Sequence, residues 1–442
     1  MEIEFFIPHY VEVLINTLEK NGFEAFIVGG CVRDLLLSKV PYDYDITTNA
    51  LPEQMMQYLN EFKCIPTGLK HGTITVLSDG KSVEITTYRS DGEYLDHRRP
   101  QNVEFSANLN EDLARRDFTV NAMAYSPKTG LIDLFGGKND LEQKILRCVG
   151  NPQKRFDEDA LRILRGLRFA STLGFDFEKE TFEALFASKE LLREISAERI
   201  SAELLKLLCG KNAKKVLMEC TEILEVIIPE IKPCVGFLQH SRYHKYDVWE
   251  HICTCVAEAK NDPIIRLTML LHDIGKPDCF FMRDGEGHFY GHEKKSAEKA
   301  QRILKRLKFD NETLERVVLL IKSHCFNPSD DEKQIKRMLS KLGEEAFFQL
   351  LDVSRADNSA KNDFCKEILE TISLCEAKAK EIIEKNECFS LKNLAVNGSD
   401  LIQMGFKGKE IGQKLDFLLQ GVIDGRFENK KDILLTILQD MI

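Results

Sequence analysis

The chain has 442 residues, 43% hydrophobic and 30% charged, with 61 Lys and Arg against 71 Asp and Glu for a formal net charge of −10. That length predicts two to four domains with real cores, and the acidic balance excludes a blanket polyanion binder while leaving room for a local basic track, because affinity follows the phosphates actually contacted. The 13 cysteines are scattered, none in a Cys-x-x-Cys pair, and no apolar run is long enough to span a bilayer, which excludes a disulfide scaffold, a zinc ribbon and an integral membrane protein and predicts a cytoplasmic chain.

Met1-Glu2-Ile3-Glu4-Phe5-Phe6 lacks a basic, apolar leader pattern, so no secretory signal is expected. Residues 8–20 carry Val11, Leu14, Ile15 and Leu18 at the spacing of an amphipathic helix. Phe26-Ile27-Val28 then reads as a buried strand, Gly29-Gly30 as a tight turn, and Val32, Leu35 and Leu36 as the apolar side of a short helix. Two glycines leave backbone N–H groups open to a phosphate chain. Pro41-Tyr42-Asp43-Tyr44-Asp45-Ile46 is extended, and strand side chains alternate, so Asp43 and Asp45 project from one surface. Adjacent carboxylates repel, and a divalent cation relieves the repulsion. Hard oxygen ligands suit Mg²⁺, which keeps positions for substrate phosphates.

Residues 51–62 are expected to be helical, and Thr73–Leu77 with Ser82–Tyr88 to form a hairpin about Asp79-Gly80. Glu84, Thr86 and Tyr88 then share a face, making Glu84 either a third carboxylate beside the aspartate pair or a solvated strand residue. Residues 91–110, with Arg98-Arg99-Pro100, read as a polar loop. In Leu113-Ala-Arg-Arg-Asp-Phe-Thr-Val-Asn-Ala-Met-Ala124, Asp117 is placed to cap a helix carrying Asn121. Arg115 and Arg116 lie at its mouth, where guanidinium forks suit phosphate and ribose oxygens.

From Pro152 onward helix signals dominate. Residues 156–168 predict one helix with apolar positions 161, 164 and 167. Asp159 and Arg162, three apart, face the same way. They form either an exposed pair worth ~0.2–0.5 kcal/mol or an acceptor and donor able to read the base edge shared by C and A. Arg165 and Arg168 prolong the basic face, toward phosphates or neighbouring acids. Seven of ten histidines fall between residues 240 and 324, among them His244, His251, His272 (in His272-Asp273-Ile-Gly-Lys276), His292 and His324, and Asp357 follows. Residues 363–386 read as helix and 394–422 as short helices, with Gly408 and Gly412 either helix ends or places for close RNA approach.

The order strand, Gly-Gly turn, Arg-Asp helix, Asp-x-Asp strand resembles the opening signature of the polymerase-β-like nucleotidyltransferases, and more narrowly the bacterial-type (class II) tRNA nucleotidyltransferases. Residues 113–124 resemble that family's Arg-Arg-Asp motif, and Glu158-Asp159-x-x-Arg162 is similar to its amino-acid template for CTP and ATP. Gly68-Leu-Lys-His71-Gly72-Thr73 resembles the tRNA-repair version rather than the poly(A) version. His272-Asp273-Ile-Gly-Lys276 with its spaced histidines resembles the HD phosphohydrolases.

The resemblance implies an α+β chain: a mixed-sheet nucleotidyltransferase head at 1–150, a helical neck and body at 151–235, an HD domain at 236–360 and a helical tail docking the tRNA elbow at 361–442. It implies Asp43 and Asp45 as catalytic ligands of two Mg²⁺ roughly 3.5–4 Å apart. Nucleotide contacts would come from Gly29, Gly30, Arg33, Arg116, Asp117, Asn121, Asp159, Arg162, Arg165 and Arg168. In the HD domain His251, His272, Asp273 and Asp357 would hold Mn²⁺, Fe, Ni²⁺ or Co, with Lys276 neutralising phosphate and His244, His292 and His324 serving a phosphate or a second metal. The implied reaction adds C, C and A to the 3′ end of tRNA from CTP and ATP, without DNA or membrane partners. The same motifs also accommodate A-only or poly(A) addition, an HD phosphohydrolase with a vestigial head, or an RNA chaperone.

Overall fold

The computed structural model describes residues 5–91, 103–106, 108–363 and 366–439. The expected basic run Arg98-Arg99-Pro100 therefore lies outside the described residues. The chain divides into two compact units, Met1–Pro229 and Glu230–Ile442.

In the first unit α1 (His9–Lys20) buries Val11, Leu14, Ile15 and Leu18, the four positions its periodicity marks. The sheet contains β1 (Ala25–Val28), β2 (Asp45–Thr48), β3 (Lys63–Gly68), β4 (Thr73–Ser78), β5 (Lys81–Thr87), β8 (Met123–Ser126) and β9 (Gly130–Asp133), in the order β3-β4-β5-β2-β1-β8-β9. Within this sheet, among the described residues, only β2 and β5 run parallel. β1 is buried at all four positions; Ile27 and Val28 each contribute about 1.5–3 kcal/mol by leaving water. A separate ribbon pairs β6 (Arg89–Asp91) with β7 (Val103–Phe105). Helices α2 (Gly30–Leu36), α3 (Pro52–Tyr58), α4 (Leu109–Ala114) and α5 (Gly137–Gln143) complete the head.

Two expectations need correction there. The helix expected at 51–62 stops at Tyr58, and β3 follows as an edge strand. Its Pro66 and half-exposed pattern hide it from a search for strand alternation. The chain also leaves β5 at Thr87, so Tyr88 turns into the core with its Oη donating to Glu24 Oε2 at 3.2 Å, away from Glu84.

Beyond the head, β10 (Ile145–Leu146) pairs in parallel with β11 (Asp176–Phe177), beside α6 (Pro152–Glu158), α7 (Leu161–Leu173), α8 (Lys179–Ala187), α9 (Ala197–Leu208), α10 (Ala213–Glu219) and α11 (Thr221–Ile227). The single helix expected over 156–168 is thus broken. Asp159 is extended (φ −141°, ψ 100°), and its carboxylate accepts the Leu161 N–H at 3.1 Å, ending α6 and starting α7. Aspartate competes with the helix for its own backbone in this way.

Among the described residues the regular structure of the second unit is helical apart from the hairpin β12 (Phe281–Arg283) and β13 (Glu286–His288). Its helices are α12 (Val248–Glu258), α13 (Pro263–Leu271), α14 (Lys276–Cys279), α15 (His292–Arg306), α16 (Asn311–Ser323), α17 (Glu332–Leu342), α18 (Glu344–Ser359), α19 (Lys366–Glu384), α20 (Gly398–Gln403), α21 (Lys409–Ile423) and α22 (Lys431–Gln439). Leu401, Leu418, Leu419 and Leu434 close a separate apolar cluster over the last three. Gly408 (φ 57°) caps α21, whereas Gly412 lies inside it. The chain is α+β, a mixed-sheet head followed by helices. Among the described residues no helix is long and apolar enough to cross a membrane.

Candidate active site and metal centre

The strand begins at Asp45, not Asp43, yet alternation reaches back through the buried Tyr44 to leave both aspartates exposed. Parallel pairing of β2 with β5 sets Asp45 in register with Glu84. That register brings a third carboxylate to the pair. Asp45 is open to solvent but ringed by protein atoms. This dehydration, then the charges of Asp43 and Glu84, raise its pKa to about 6 against the pull of Arg116. A cation would relieve the repulsion, and an all-oxygen donor set fits Mg²⁺. Gly29 has φ 81°, and a Cβ there would stand 3.0 Å from Arg116 Nη1; glycine keeps both the backbone turn and the guanidinium in place. Gly30 opens α2 beside Arg33.

Asp112 belongs to the site although no sequence motif marks it. It is fully buried, and it accepts Arg115 Nη2 at 2.7 Å, Arg116 Nη2 at 3.2 Å and Thr47 Oγ1 at 3.2 Å. Burial pushes its pKa up, but Arg116 and Arg115 outweigh it and hold the carboxyl below its ordinary value. Its spacing of three and four from the two arginines is the one signal of this role that residue order carries.

Asp117 does not cap a helix. Thr119–Asn121 is a single 3-10 turn without a side-chain cap. Asp117 Oδ1 instead accepts from the Phe118 N–H at 2.8 Å and Asn121 Nδ2 at 3.2 Å, and Oδ2 from Arg165 Nε at 2.7 Å. Burial opposes its charge, yet Arg165 and these hydrogen bonds bring its pKa down to about 2. Asn121 Oδ1 accepts Arg33 Nη1 at 2.7 Å, which completes a chain Arg33–Asn121–Asp117–Arg165. The guanidinium carbons of Arg33, Arg165 and Arg168 lie 5.4, 5.5 and 4.1 Å from the Phe169 ring centre. That aromatic face holds three cations together. Arg168 also meets Glu203, at 3.2 Å.

Asp159 and Arg162 do not pair with each other, because Asp159 lies in the break between α6 and α7. Arg162 is buried and donates to Glu158 Oε2 at 2.7 Å, Arg155 O at 2.9 Å and Arg115 O at 2.8 Å. Asp159 instead receives Arg199 Nη2 from α9 at 2.9 Å, a partner that sequence spacing could not indicate.

In the second unit, five helices and their ends bring the spaced histidines and Asp357 together. His251 Nε2 lies 3.1 Å from Asp357 Oδ1 and 3.3 Å from Asp273 Oδ2; His272 Nε2 lies 3.2 Å from Asp273 Oδ2. His272 Nδ1 stands 2.7 Å from Met269 O, a backbone bond that turns Nε2 inward. Both oxygens of Asp273 and Nε2 of His272 are buried without a well-aligned hydrogen bond. Converging nitrogen and carboxylate lone pairs of this kind fit a transition metal. Lys276 Nζ reaches Asp273 Oδ2 at 2.7 Å, and Lys361, which no motif points to, reaches Asp357 Oδ2 at 2.6 Å. His292 and His324 approach the other oxygen of Asp273. His244 stands beside the cluster, 5.1 Å from His251 between ring centres. Burial, then Lys276, pushes its pKa down to about 2. A cleft of about 580 Å³ opens onto Asp273, Lys276, His292, His324 and Lys361.

Residues 25–147 match the family model of the "Poly A polymerase head domain", residues 174–235 that of the "Probable RNA and SrmB- binding site of polymerase A", and residues 291–438 that of tRNA nucleotidyltransferase domain 2. The chain is 50% identical to the CCA-adding enzyme of Oceanobacillus iheyensis over 204 residues, 46% of this chain and half of that enzyme's length. It is 36% identical to that of Lactobacillus helveticus over 439 residues, 97% of this chain and 96% of the relative. The solved CCA-adding enzyme of Bacillus stearothermophilus in complex with CTP superposes with a TM-score of 0.74 at 29% identity, covering 99% of this chain and 98% of that one.

Proposed function

We propose, since the chain belongs to the family of CCA-adding enzymes, that it extends the 3′ end of tRNA with C, C and A, taking CTP and ATP as donors. It is a nucleotidyltransferase. The observation that carries the finer reading is the open carboxylate trio of Asp43, Asp45 and Glu84 beside Gly29 and Arg116. Asp43 and Asp45, with Glu84 beside them, would hold two Mg²⁺, which when bound supply Lewis acidity at the terminal hydroxyl and screen the triphosphate.

Arg116, steadied by Asp112, and Arg33, steadied by Asn121, present donors to phosphate and ribose oxygens. Asp117 positions Arg165 and Asn121 together. For base choice, Asp159 accepts from the exocyclic amino group of C or A and Arg162 donates beside it, with Arg199 orienting the Asp159 carboxylate. The division at 150, 235 and 360 into head, neck and body, HD part and tail belongs to the same proposal.

A second reading is favoured by the buried oxygens of Asp273, which lack a well-aligned hydrogen bond while the imidazoles of His251 and His272 converge on them. His251, His272, Asp273 and Asp357 would hold a transition metal such as Ni²⁺ or Mn²⁺, which when bound activates water for phosphate-ester hydrolysis. Lys276 and Lys361 supply positive charge for the ester. Metal-supplemented assays on 2′,3′-cyclic and 2′-nucleotides, with His272→Ala as control, test this side activity.

The primary test incubates tRNAs ending at the discriminator base, at C or at C-C with labelled CTP or ATP. Stepwise C, C and A addition is expected. Asp43→Ala should lose incorporation by several orders of magnitude while keeping tRNA binding. Incorporation of A alone, onto C-C ends only, would identify an A-adding enzyme; wild-type turnover by Asp43→Ala would remove the mechanism.

A further inference from the structure

We propose that Phe281, His288 and Tyr290, on and just after the hairpin β12–β13, form a stacking subsite for one unpaired nucleobase, which seats the phosphate of the same nucleotide against Lys276 and Lys361. The two strands of this hairpin are only three residues each, and the register sets Phe281 opposite His288. That pair has an ordinary explanation, because an isolated ribbon is marginal in water and a cross-strand ring pair steadies it. Tyr290 has none of that kind. It lies two residues past β13 and is 71% exposed, with Phe281 at 40%. Two large rings left in water forfeit their burial unless a flat apolar ligand covers them.

The three ring centres stand 5.4, 5.4 and 5.6 Å apart, and the His288 plane lies within 28° of Phe281 and 22° of Tyr290. Roughly parallel rings so spaced offer a surface on which any base stacks, since every base has a π face. Positive charge lies in the same cavity. His288 and Tyr290 line the cleft of about 580 Å³ that is also lined by Lys276, Lys361 and Asp273. One part of its wall is aromatic and another cationic, the same division that a nucleoside phosphate carries along its length. The hairpin is fixed relative to Lys276. The Gly287 N–H donates to His240 O at 2.8 Å, and a Cβ on Gly287 would collide with Gln239 O. Gln239 Oε1 accepts Lys276 Nζ at 2.8 Å, and that ammonium stands 5.4 Å from the Phe289 ring centre. Glycine at 287 thus lets β13 lie directly on the segment that holds Lys276.

Seating of the phosphate rests on the second reading of the His251–His272–Asp273–Asp357 centre, whereas stacking of the base does not. The full chain is titrated calorimetrically with adenosine 2′-monophosphate and with glycerol 2-phosphate, an ester that keeps the phosphate and lacks the base. Wild type should bind the nucleotide about tenfold or more tightly than the base-less ester. Tyr290→Ala should lower nucleotide affinity on the order of tenfold and leave glycerol 2-phosphate unchanged. Tyr290→Phe should keep wild-type affinity, because stacking needs the ring and not the hydroxyl. A short single-stranded RNA bearing a terminal 2′-phosphate locates the source of the base: tighter, Tyr290-dependent binding assigns an RNA end, and equal binding a free nucleotide. Equal wild-type affinities for nucleotide and base-less ester, or a Tyr290→Ala variant that loses both alike, overturn the subsite. Hydrolysis of both esters with added Ni²⁺ or Mn²⁺ is scored separately. Tyr290-dependent binding without hydrolysis keeps the subsite and removes the phosphohydrolase reading; hydrolysis of both esters at rates indifferent to Tyr290 does the reverse.

Discussion

Replacing Asp117 by asparagine removes one negative charge and almost no volume. The carboxylate it replaces is nearly inaccessible and holds Arg165 with Nε at 2.7 Å and Nη2 at 2.6 Å. Its pKa is about 2, against an ordinary 3.8. The folded protein therefore favours the ionised form by nearly two pKa units, or about 2 kcal/mol. Asparagine forfeits that, and its amide can turn a donor toward a guanidinium that has only donors. Because the folded pKa is depressed, the stabilisation is fully present above the ordinary carboxylate pKa and fades as pH falls from about 4 toward 2. Wild type and Asp117→Asn should thus differ by about 2 kcal/mol at pH 7 and by the same amount at pH 5. Hydrogen exchange of the β1 and β8 amides reads the first unit alone. The freed Arg165 and Asn121 should also raise KM for CTP and ATP about tenfold or more. A difference below about 0.5 kcal/mol, or one that changes markedly between pH 7 and 5, would refute the account of a buried, ionised Asp117.

The acid limb of the pH–rate profile should lie near pH 6 at limiting Mg²⁺, because Asp45 must ionise to bind it and its pKa is about 6. Raising Mg²⁺ should move that limb to lower pH; a limb that stays fixed would separate Asp45 from the metal. Gly29→Ala forces a side chain into φ 81° and against Arg116; a loss of about 1–3 kcal/mol and weakened triphosphate binding are expected, checked by melting and by KM. Arg162→Ala should admit UTP and GTP on the order of tenfold more readily, scored by competing labelled nucleotides on tRNA ending in C-C; unchanged selectivity counts against its part in base choice.

Local chemistry makes much of this chain legible in its residue order. Alternation in Asp43-Tyr44-Asp45 depends only on extended-backbone geometry, so the exposed pair and the buried Tyr44 follow from it, although the same pattern fails one residue earlier, where Tyr42 is fully exposed. Helical spacing in residues 8–20 likewise marks the four side chains that α1 buries. The His-Asp pair and its spaced histidines are visible as residue types, and so is the Arg-Arg-Asp run. Other features need residues that lie far apart in the chain. Glu84 meets Asp45 through a parallel register across 39 positions, and Asp159 meets Arg199 across 40. No periodicity encodes either pairing. The break at Asp159 is hidden because a local Asp-to-backbone bond prevails over an otherwise continuous apolar pattern. Cys325 looks like one scattered thiol among 13; only the packing of α15 against α16 sets its sulfur beside two imidazoles. Residue order determines which groups are available and which face of an element they take. Tertiary packing decides which of them meet, because charge and ligand fields act over a few ångströms of space, whatever the distance along the chain.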